Sequence, residues 1–599
     1  MPCGVPPPRR MDPHEPCVFS LHAHTTSALK TRALVLGCPY CDHGMTEKLF
    51  SDRSAPAGLA SRQFRMRSFR NATVIIIIVV GWFALQWELV FIKAPMVFRS
   101  ARHLLPEWYV RGGGSSSAPL KGSITCKSLR SGYIDDPQAY RVNPMGGSHA
   151  QVAEACEDLH MSTKLGIVLM SCDPGRVVWN TFMNSLQQPA THGALWMSEY
   201  KSTDPQPVLL HIHGYPEAED FHPLGMGLYE VSEHQARLFL VNQRTHASTI
   251  ELIDLERRAD SDESTANRDH RASWHARYVR TLYHPIATHT PNAIHAVSLN
   301  ELYVTNSHVV ALRSPPRPAY EAVLASQFGD AIAPLVYKVV TYKPLTAMWQ
   351  KLDSFIGWGY VAHVHMAGLS QDTDHDGDDN VNYKTDASMQ AVGASMPDLL
   401  HSMRGVSAFI WAGRVPFANG IVATEKNVIV AATSAPGLYV YDQTNDTYAR
   451  RQQQRPRAFV PTPFFPDNLA VSRGPQPDTL RIVVAGHPSL KDLEHIVSHP
   501  HTQRYAPSWV VEVFYDESIS YTGDDADVPY PAQKALMTVP KGWHVRTLLQ
   551  TNGRSTALLL SSSSSAVWDP TYAAHGSFYV SGLYEPAPIV CLSLIHISE

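Results

Sequence analysis

The sequence predicts an all-β chain organised as a β-propeller, and two observations carry that reading. Short strand-like blocks recur along the body, among them LGIVLMS, PVLLHIH, RLFLVNQ, STIELIDL, ELYVTNS, NVIVAAT, GLYVYD, LRIVVAG, SWVVEVFYD and GSFYVSGLY. They are rich in Val, Ile, Tyr and Phe and are bounded by Gly, Pro, Asn or Asp, the composition of strands and their turns. The blocks also continue from about 120 to 591 with no linker dividing them. Even repetition of this kind suits radial blades, which leave only short protected edges. Two β-sandwiches in tandem are the competing arrangement, and a dividing linker would be expected between them.

Composition narrows the function. In 599 residues, 44% apolar content supplies a large core, and 44 prolines fit a loop-rich globular protein. Only 17% of residues are charged, the net charge is -4, and no basic stripe is present, so nucleic acid is not an expected partner.

Taken in order, residues 1–65 lack hydrophobic periodicity and read as a disordered or mis-annotated extension, because Met66 opens the more ordinary secretory start MRSFRNATVIIII. The tetrapeptide CPYC at 38–41 has redox spacing, but no strand-helix-strand pattern surrounds it. The apolar run ATVIIIIVVGWFAL at 72–85 follows Arg62, Arg65, Arg67 and Arg70, and LVFI extends it. Such a stretch predicts a signal or an uncleaved signal anchor over 66–93, and the missing A-x-A-like site favours retention in a membrane. Lys93, Arg99 and Arg102 follow it and weaken the charge asymmetry that sets orientation. Residues 94–120, with GGGSSSAP at 112–119, form a flexible linker. The propeller is expected over 121–591, and LSLIHISE at 592–599 resembles a translated sequencing-library adaptor, an artefactual tail.

Two segments break the strand rhythm, at about 309–345 and 366–405, and are read as insertions. Between them MWQKLDSFIGWGYVAHV predicts an amphipathic helix running into a strand. The second contains DTDHDGDDN at 372–380, where Asp372, Asp374, Asp376 and Gly377 open like a calcium loop. Tyr383 stands where that loop needs a bidentate Glu, so an acidic surface loop or accessory site is expected. Other hydrolytic signatures fail. LLHIHG at 209–214 has no G-x-S-x-G elbow to accompany it, no H-E-x-x-H occurs, and Ser561–Ser565 is a low-complexity loop or strand with no base at motif spacing.

Four motifs then appear in fixed order: CEDLH at 156–160; FHPLGMGLYEV with RLFLVNQRTHASTIELIDLE at 221–256; PNAIHAVSLNELYVTNSH at 291–308; and FANGI at 417–421 with PDNLAV at 466–471. Together they resemble the paraoxonase/arylesterase family of calcium-dependent lactonases and esterases, over about Cys126 to Cys591. The resemblance implies a six-bladed β-propeller with Ca2+ in its central tunnel, held by Glu157, Asn292, Asn419, Asp467 and Asn468. Two carboxylates and three amides are hard oxygen donors suited to that ion. For a second, structural Ca2+ it implies Asp158 and the Met226 carbonyl, but Ala293 replaces an aspartate. The family's histidine pair falls on Leu224 and Gln243, so His222, His246, His308 and His487 become the candidate bases, imidazole being suited to moving protons near neutrality. Cys126 and Cys591 correspond to a ring-closing disulfide, while Cys156 and Cys172 pair or stay free. Asn445 begins the glycosylation sequon N-D-T.

The function so implied is hydrolysis of a small hydrophobic lactone or aryl ester, in the secretory pathway, by a propeller tethered to a membrane or secreted. The alternatives are a non-catalytic propeller that binds a hydrophobic ligand or protein, and a strictosidine synthase-like enzyme.

Overall fold

The computed structural model describes residues 124–129 and 153–593, except 183–184, 187–191, 200–201, 203–204, 217–219, 246, 259–272, 312–316, 368–402, 404, 444–452, 474–479, 500–505, 519–538, 552, 554–559 and 572–576. The hydrophobic segment at 66–93, the linker, the acidic stretch at 372–380, His246 and Asn445 lie outside the described residues.

Six antiparallel sheets form the blades of a propeller. Blade 1 is Cys156–Ser162, Ile167–Cys172, Ala194–Glu199 and Val208–Leu209; blade 2 is Pro223–Glu230, Gln235–Gln243, Ser248–Arg258 and Ser273–Leu282, with Ile212–His213 added in parallel at its edge. Blade 3 is Pro291–Ser298, Glu301–Asn306, Tyr360–Met366 and Val406–Gly413; blade 4 is Ala418–Ala423, Asn427–Ala432, Gly437–Asp442 and Ala458–Pro461. Blade 5 is Phe465–Arg473, Leu480–His487, Ser508–Tyr515 and Trp543–Thr551. Blade 6 takes three strands from the end of the body, Ser563–Asp569, Ser577–Gly582 and Ile589–Ser593, and its outermost strand, Ile124–Ser128, from the start.

The apolar sequence pattern explains why the sheets stack radially. Second strands such as IVLMSC and NVIVAA are buried at every residue, because each blade is covered by a neighbour on both faces. Six apolar clusters result, one per interface. Ile167 and Leu169 meet Leu238 and Leu240 between blades 1 and 2; Phe239 and Val241 meet Leu302 and Val304 between blades 2 and 3. Tyr303 and Trp411 meet Val428 and Val430; Ile429 and Leu438 meet Ile482 and Val511; Val483 and Val510 meet Phe578 and Val580. Val567, Tyr579 and Val590 of blade 6 meet Val168, Met170 and Trp196 of blade 1, which closes the ring. A fully buried side chain of this kind contributes about 1.5–3 kcal/mol, so the ring is held by many equivalent terms rather than one centre.

A disulfide secures the seam. Cys126 and Cys591 are directly opposed in the Ile124–Ser128 and Ile589–Ser593 ladder and are bonded; a second bond joins the cross-strand partners Cys156 and Cys172 of blade 1. Both require an oxidising environment and are compatible with a secreted or lumenal protein.

Between the second and third strands of blade 3 the chain builds three helices, α1 (Arg317–Phe328), α2 (Ala333–Val340) and α3 (Lys343–Ile356). Tyr320, Val323 and Leu324 of α1 sink into the core shared by blades 2 and 3. Helix α3 stops at Gly357, whose φ of 79° is the left-handed value a C-terminal cap requires, and the chain then enters Tyr360–Met366. Helix α4 (Leu490–Ser498) fills the corresponding position in blade 5, with Ser489 Oγ accepting from the Asp492 N–H as its N-cap. Among the described residues no single helix is long and apolar enough to cross a membrane.

Candidate metal centre

The first strands of the six blades contact one another in turn and enclose the central tunnel. Each carries a break in register against its second strand, and the breaks fall at one level. Glu157 lies between the paired residues Cys156 and Asp158, Asn292 and Ala293 between Pro291 and Ile294, and Asn419 and Gly420 between Ala418 and Ile421. Asp467 and Asn468 lie between Pro466 and Leu469, Leu224 and Gly225 between Pro223 and Met226, and Ser564 between Ser563 and Ser565. A bulge turns its extra residue out of the ladder, so the same irregularity repeated six times presents one set of side chains to the tunnel.

All five residues expected to bind calcium therefore sit in these bulges, and all are buried. Close backbone approach makes room for them. A Cβ on Gly420 would stand 2.6 Å from the Asp467 carbonyl oxygen, and one on Gly225 only 2.1 Å from that of Asn292. Just before the first strands, Ala155, Phe417 and Ser562 take left-handed φ values of 53°, 52° and 56°, strain of about 1–3 kcal/mol each concentrated at this end of the tunnel.

Hydrogen bonding decides how the donors face. Asn292 Nδ2 donates to Ser307 Oγ and Asn419 Nδ2 to Thr433 Oγ1, both at 3.1 Å, which pins each amide by its nitrogen. Asn468 Nδ2 donates to Glu157 Oε1 at 2.9 Å, and Asp467 Oδ2 is 2.8 Å from His487 Nε2. What remains is informative: Glu157 Oε2, Asn292 Oδ1 and Asn419 Oδ1 are buried with no hydrogen-bond partner among the described residues. Leaving such an oxygen unmet costs about 1–3 kcal/mol, so three together fit a site built for a cation. Burial, then the neighbouring Asp158 and Asp467, holds Glu157 well above the usual carboxylate range, while Arg176 and Asn468 oppose the shift. Among the described residues no group of three or more His, Cys, Asp and Glu converges as ligands, which accords with a donor set that is largely amide.

Asp158 behaves differently. Its Oδ1 accepts from the Leu159 N–H and the Ser565 hydroxyl, and its Oδ2 from the Met226 N–H at 2.8 Å. The protein itself satisfies this carboxylate, whose pKa burial nevertheless pushes up to about 7. Asp158 thus links blades 1, 2 and 6 through hydrogen bonds at the position expected for a structural ion.

The histidines separate clearly. His222, immediately before blade 2, is 2% exposed, and its Nδ1 is 3.0 Å from Asp173 Oδ2. Asp173 follows the second strand of blade 1, accepts from the Gly175 N–H, and donates its own N–H to the Ala155 carbonyl, two residues from Glu157. Next to it, buried Arg176 donates through Nη2 to the Pro223 carbonyl. His308 lies after the second strand of blade 3, edge-on to Phe417 at 4.7 Å, and burial with His289 holds its pKa down to about 3. His487 is engaged with Asp467. At the expected histidine-pair positions, Leu224 is a buried bulge residue and Gln243 donates its N–H to the His222 carbonyl.

No family model matches the chain, and no curated protein matches it. Solved structures do resemble parts of it. A candidate 6-phosphogluconolactonase from Bacteroides uniformis is 10% identical over 66% of this chain and 75% of its own, with a TM-score of 0.27. The PQQ-bound aldose sugar dehydrogenase of Streptomyces coelicolor is 9% identical over 79% and 98%, with a TM-score of 0.32. CoXyl43, a GH43 β-xylosidase/α-arabinofuranosidase from a compost microbial metagenome, is 9% identical over 62% and 94%, with a TM-score of 0.29. At these values no activity transfers, and the functional reading rests on the chain's own residues.

Two parts of the site escape a sequence search. The Asp173–His222 pair joins residues 49 apart in different blades; its one local trace is the turn sequence DPG, in which Asp173 caps Pro174–Val177. The serine run leads into the first strand of blade 6, where Ser564 Oγ donates to the Glu157 carbonyl at 2.7 Å and Ser565 Oγ to Asp158. Small hydroxyl side chains fit here because blades 1 and 6 meet closely.

Proposed function

We propose that the chain is a calcium-dependent hydrolase of lactones or aryl esters. The observation that carries this reading is the set of three buried, unmet oxygens on Glu157, Asn292 and Asn419 beside the Asp467 and Asn468 donors. Those five residues would hold the ion: the two carboxylates balance its formal charge, and the three neutral amides complete the set without adding negative charge. When bound, calcium supplies Lewis acidity toward an ester or lactone carbonyl.

The chain's own residues supply the proton chemistry. With Nδ1–H donated to Asp173, His222 carries its lone pair on Nε2. Asp173 fixes that tautomer and steadies the imidazolium that forms. As water adds to the carbonyl carbon, His222 Nε2 accepts its proton; as the bond from carbonyl carbon to alkoxy or aryloxy oxygen breaks, the proton passes to the leaving oxygen. Water is consumed, and a carboxylic acid and an alcohol or phenol are formed.

The same reading places the propeller in the secretory pathway, tethered to a membrane by the segment at 66–93 or released. The two disulfides support an oxidising compartment.

The test is hydrolysis of phenyl acetate and a δ-lactone by the full chain, before and after chelation and calcium return, beside Asn419→Ala and Asp467→Ala. Loss on chelation, recovery with calcium and loss in both variants are expected. Turnover indifferent to calcium removal would sink the mechanism. Tight calcium binding without turnover would point instead to a binding propeller, which the apolar Leu224 at the blade 2 bulge would suit.

A further inference from the structure

Beyond the donor ring, the tunnel contains a cavity of about 310 Å3, lined by the first strands of all six blades and reaching from Asp158 and Asn468 to Glu230 and Asp569. A cavity of this size, with apolar walls such as Leu228, Ile294 and Trp568 beside polar ones in about equal measure, can take a small organic ligand. Its ionisable groups are carboxylates and imidazoles. Asp158, Glu230 and Asp569 supply carboxylates to its lining, His160 and His295 imidazoles and Asn468 an amide, and no Lys or Arg lines it.

The two imidazoles come from blades 1 and 3 and are close enough to influence one another electrostatically. No hydrogen bond holds either ring to another described residue, and both are half-buried in the cavity lining. Glu230 accepts from the Ser162 hydroxyl at one oxygen and interacts electrostatically with His160. Burial, reinforced by His160, holds His295 down to about 4, so at neutral pH it is an uncharged group with a lone pair to offer.

Complementarity then selects the ligand. An anion would meet a lining with three carboxyl groups and no Lys or Arg. An uncharged alcohol would leave the Glu230 charge unanswered in a confined space. A bare metal ion would leave the apolar walls unused, and no set of three or more His, Cys, Asp and Glu among the described residues assembles around one point. A protonated amine satisfies each term: positive charge toward Glu230, N–H groups toward imidazole lone pairs, and an apolar body against the walls.

We propose that the far half of the tunnel is a binding site for a small organic ammonium compound, with its charged end among Glu230, His160 and His295 and its apolar body along Leu228 and Ile294. The charged end of the site lies away from Asn468, where the cavity adjoins the donor ring, and the proposal does not depend on the hydrolase reading.

The test uses the full chain at neutral pH, with benzylamine as probe and benzyl alcohol and benzoate as uncharged and anionic matches, in calorimetry and thermal-shift measurements. Benzylamine should bind at least tenfold more tightly than either match. Glu230→Gln should weaken it at least tenfold, and Ala296→Phe, which fills the cavity from blade 3 without altering charge, should abolish it. Asn419→Ala should leave it unchanged, so failure here and failure of the hydrolase reading are distinguishable. Equal binding of benzyl alcohol or benzoate, undiminished binding in folded Glu230→Gln and Ala296→Phe variants, or stabilisation by Zn2+ alone that His295→Leu removes would each overturn the proposal.

Discussion

The two disulfides should differ in what they protect, and the difference can be calculated. Cys126–Cys591 spans 465 residues, and Cys156–Cys172 spans 16. In the chain-entropy relation, loops of these lengths stabilise by about 6 and about 3 kcal/mol at 25 °C, through the unfolded state. Errors in the reference state are largely shared, so the difference of about 3 kcal/mol is firmer than either value. The perturbation is a pair of double variants, Cys126→Ala with Cys591→Ala and Cys156→Ala with Cys172→Ala. Urea unfolding without reductant measures stability, and calcium titration measures the site. The seam variant should be the less stable by about 3 kcal/mol yet bind calcium as the parent does, because its bond lies in the outer half of blade 6. The blade 1 variant should lose less stability but more calcium affinity, because Cys156 adjoins Glu157 and Cys172 adjoins Asp173. If the short-loop variant proved equally or more destabilised, or if only the seam variant lost calcium, the reasoning would be refuted.

Two further outcomes follow from buried titratable groups. His222→Gln and Asp173→Asn should each lower turnover, by about 10²–10⁴-fold for the histidine, with calcium affinity retained, as steady-state kinetics beside calcium titration would show. Asp353 of α3 accepts from the Val309 and Val310 N–H groups at 2.7 and 2.6 Å, yet burial outweighs these bonds and pushes its pKa up to about 7. A carboxyl raised in the fold binds protons that the unfolded chain has already lost, so its contribution is full below about pH 4 and disappears as pH rises to 7. Relative to the parent, Asp353→Asn should therefore gain about 4 kcal/mol between pH 4 and 8 in denaturation midpoints, whereas a pH-independent difference would contradict this.

The propeller was legible because its blades bury strands on both faces, so runs such as NVIVAA announce themselves without alternation. The five oxygen donors could be named through the family resemblance of their motifs, and four of them stand in a motif whose glycine or proline accompanies the bulge, as in FANGI and PDNLAV, whereas CEDLH carries no such mark. The acidic stretch at 372–380 lies outside the described residues, while the buried carboxylates at the tunnel are the neighbours Glu157 and Asp158 of blade 1 and, 309 positions on from Asp158, Asp467 of blade 5. What pattern reading could not supply are relations made only by closing the ring. Asp173 reaches His222 across an interface, and Ser565 reaches Asp158 over 407 positions of sequence, so neither pair has a fixed spacing to search for.

The six aligned bulges also bear on how such a protein changes over time. They act as interchangeable sockets, filled here by glutamate, leucine, asparagine, asparagine, an aspartate-asparagine pair and serine. Because a bulged residue stands outside the ladder while the interblade clusters hold the ring, one socket can be refilled without repacking the scaffold. Leu224 and Ser564 are the two sockets without a carboxylate or amide, and hence the places where a single substitution would alter the tunnel's chemistry at least cost to the architecture.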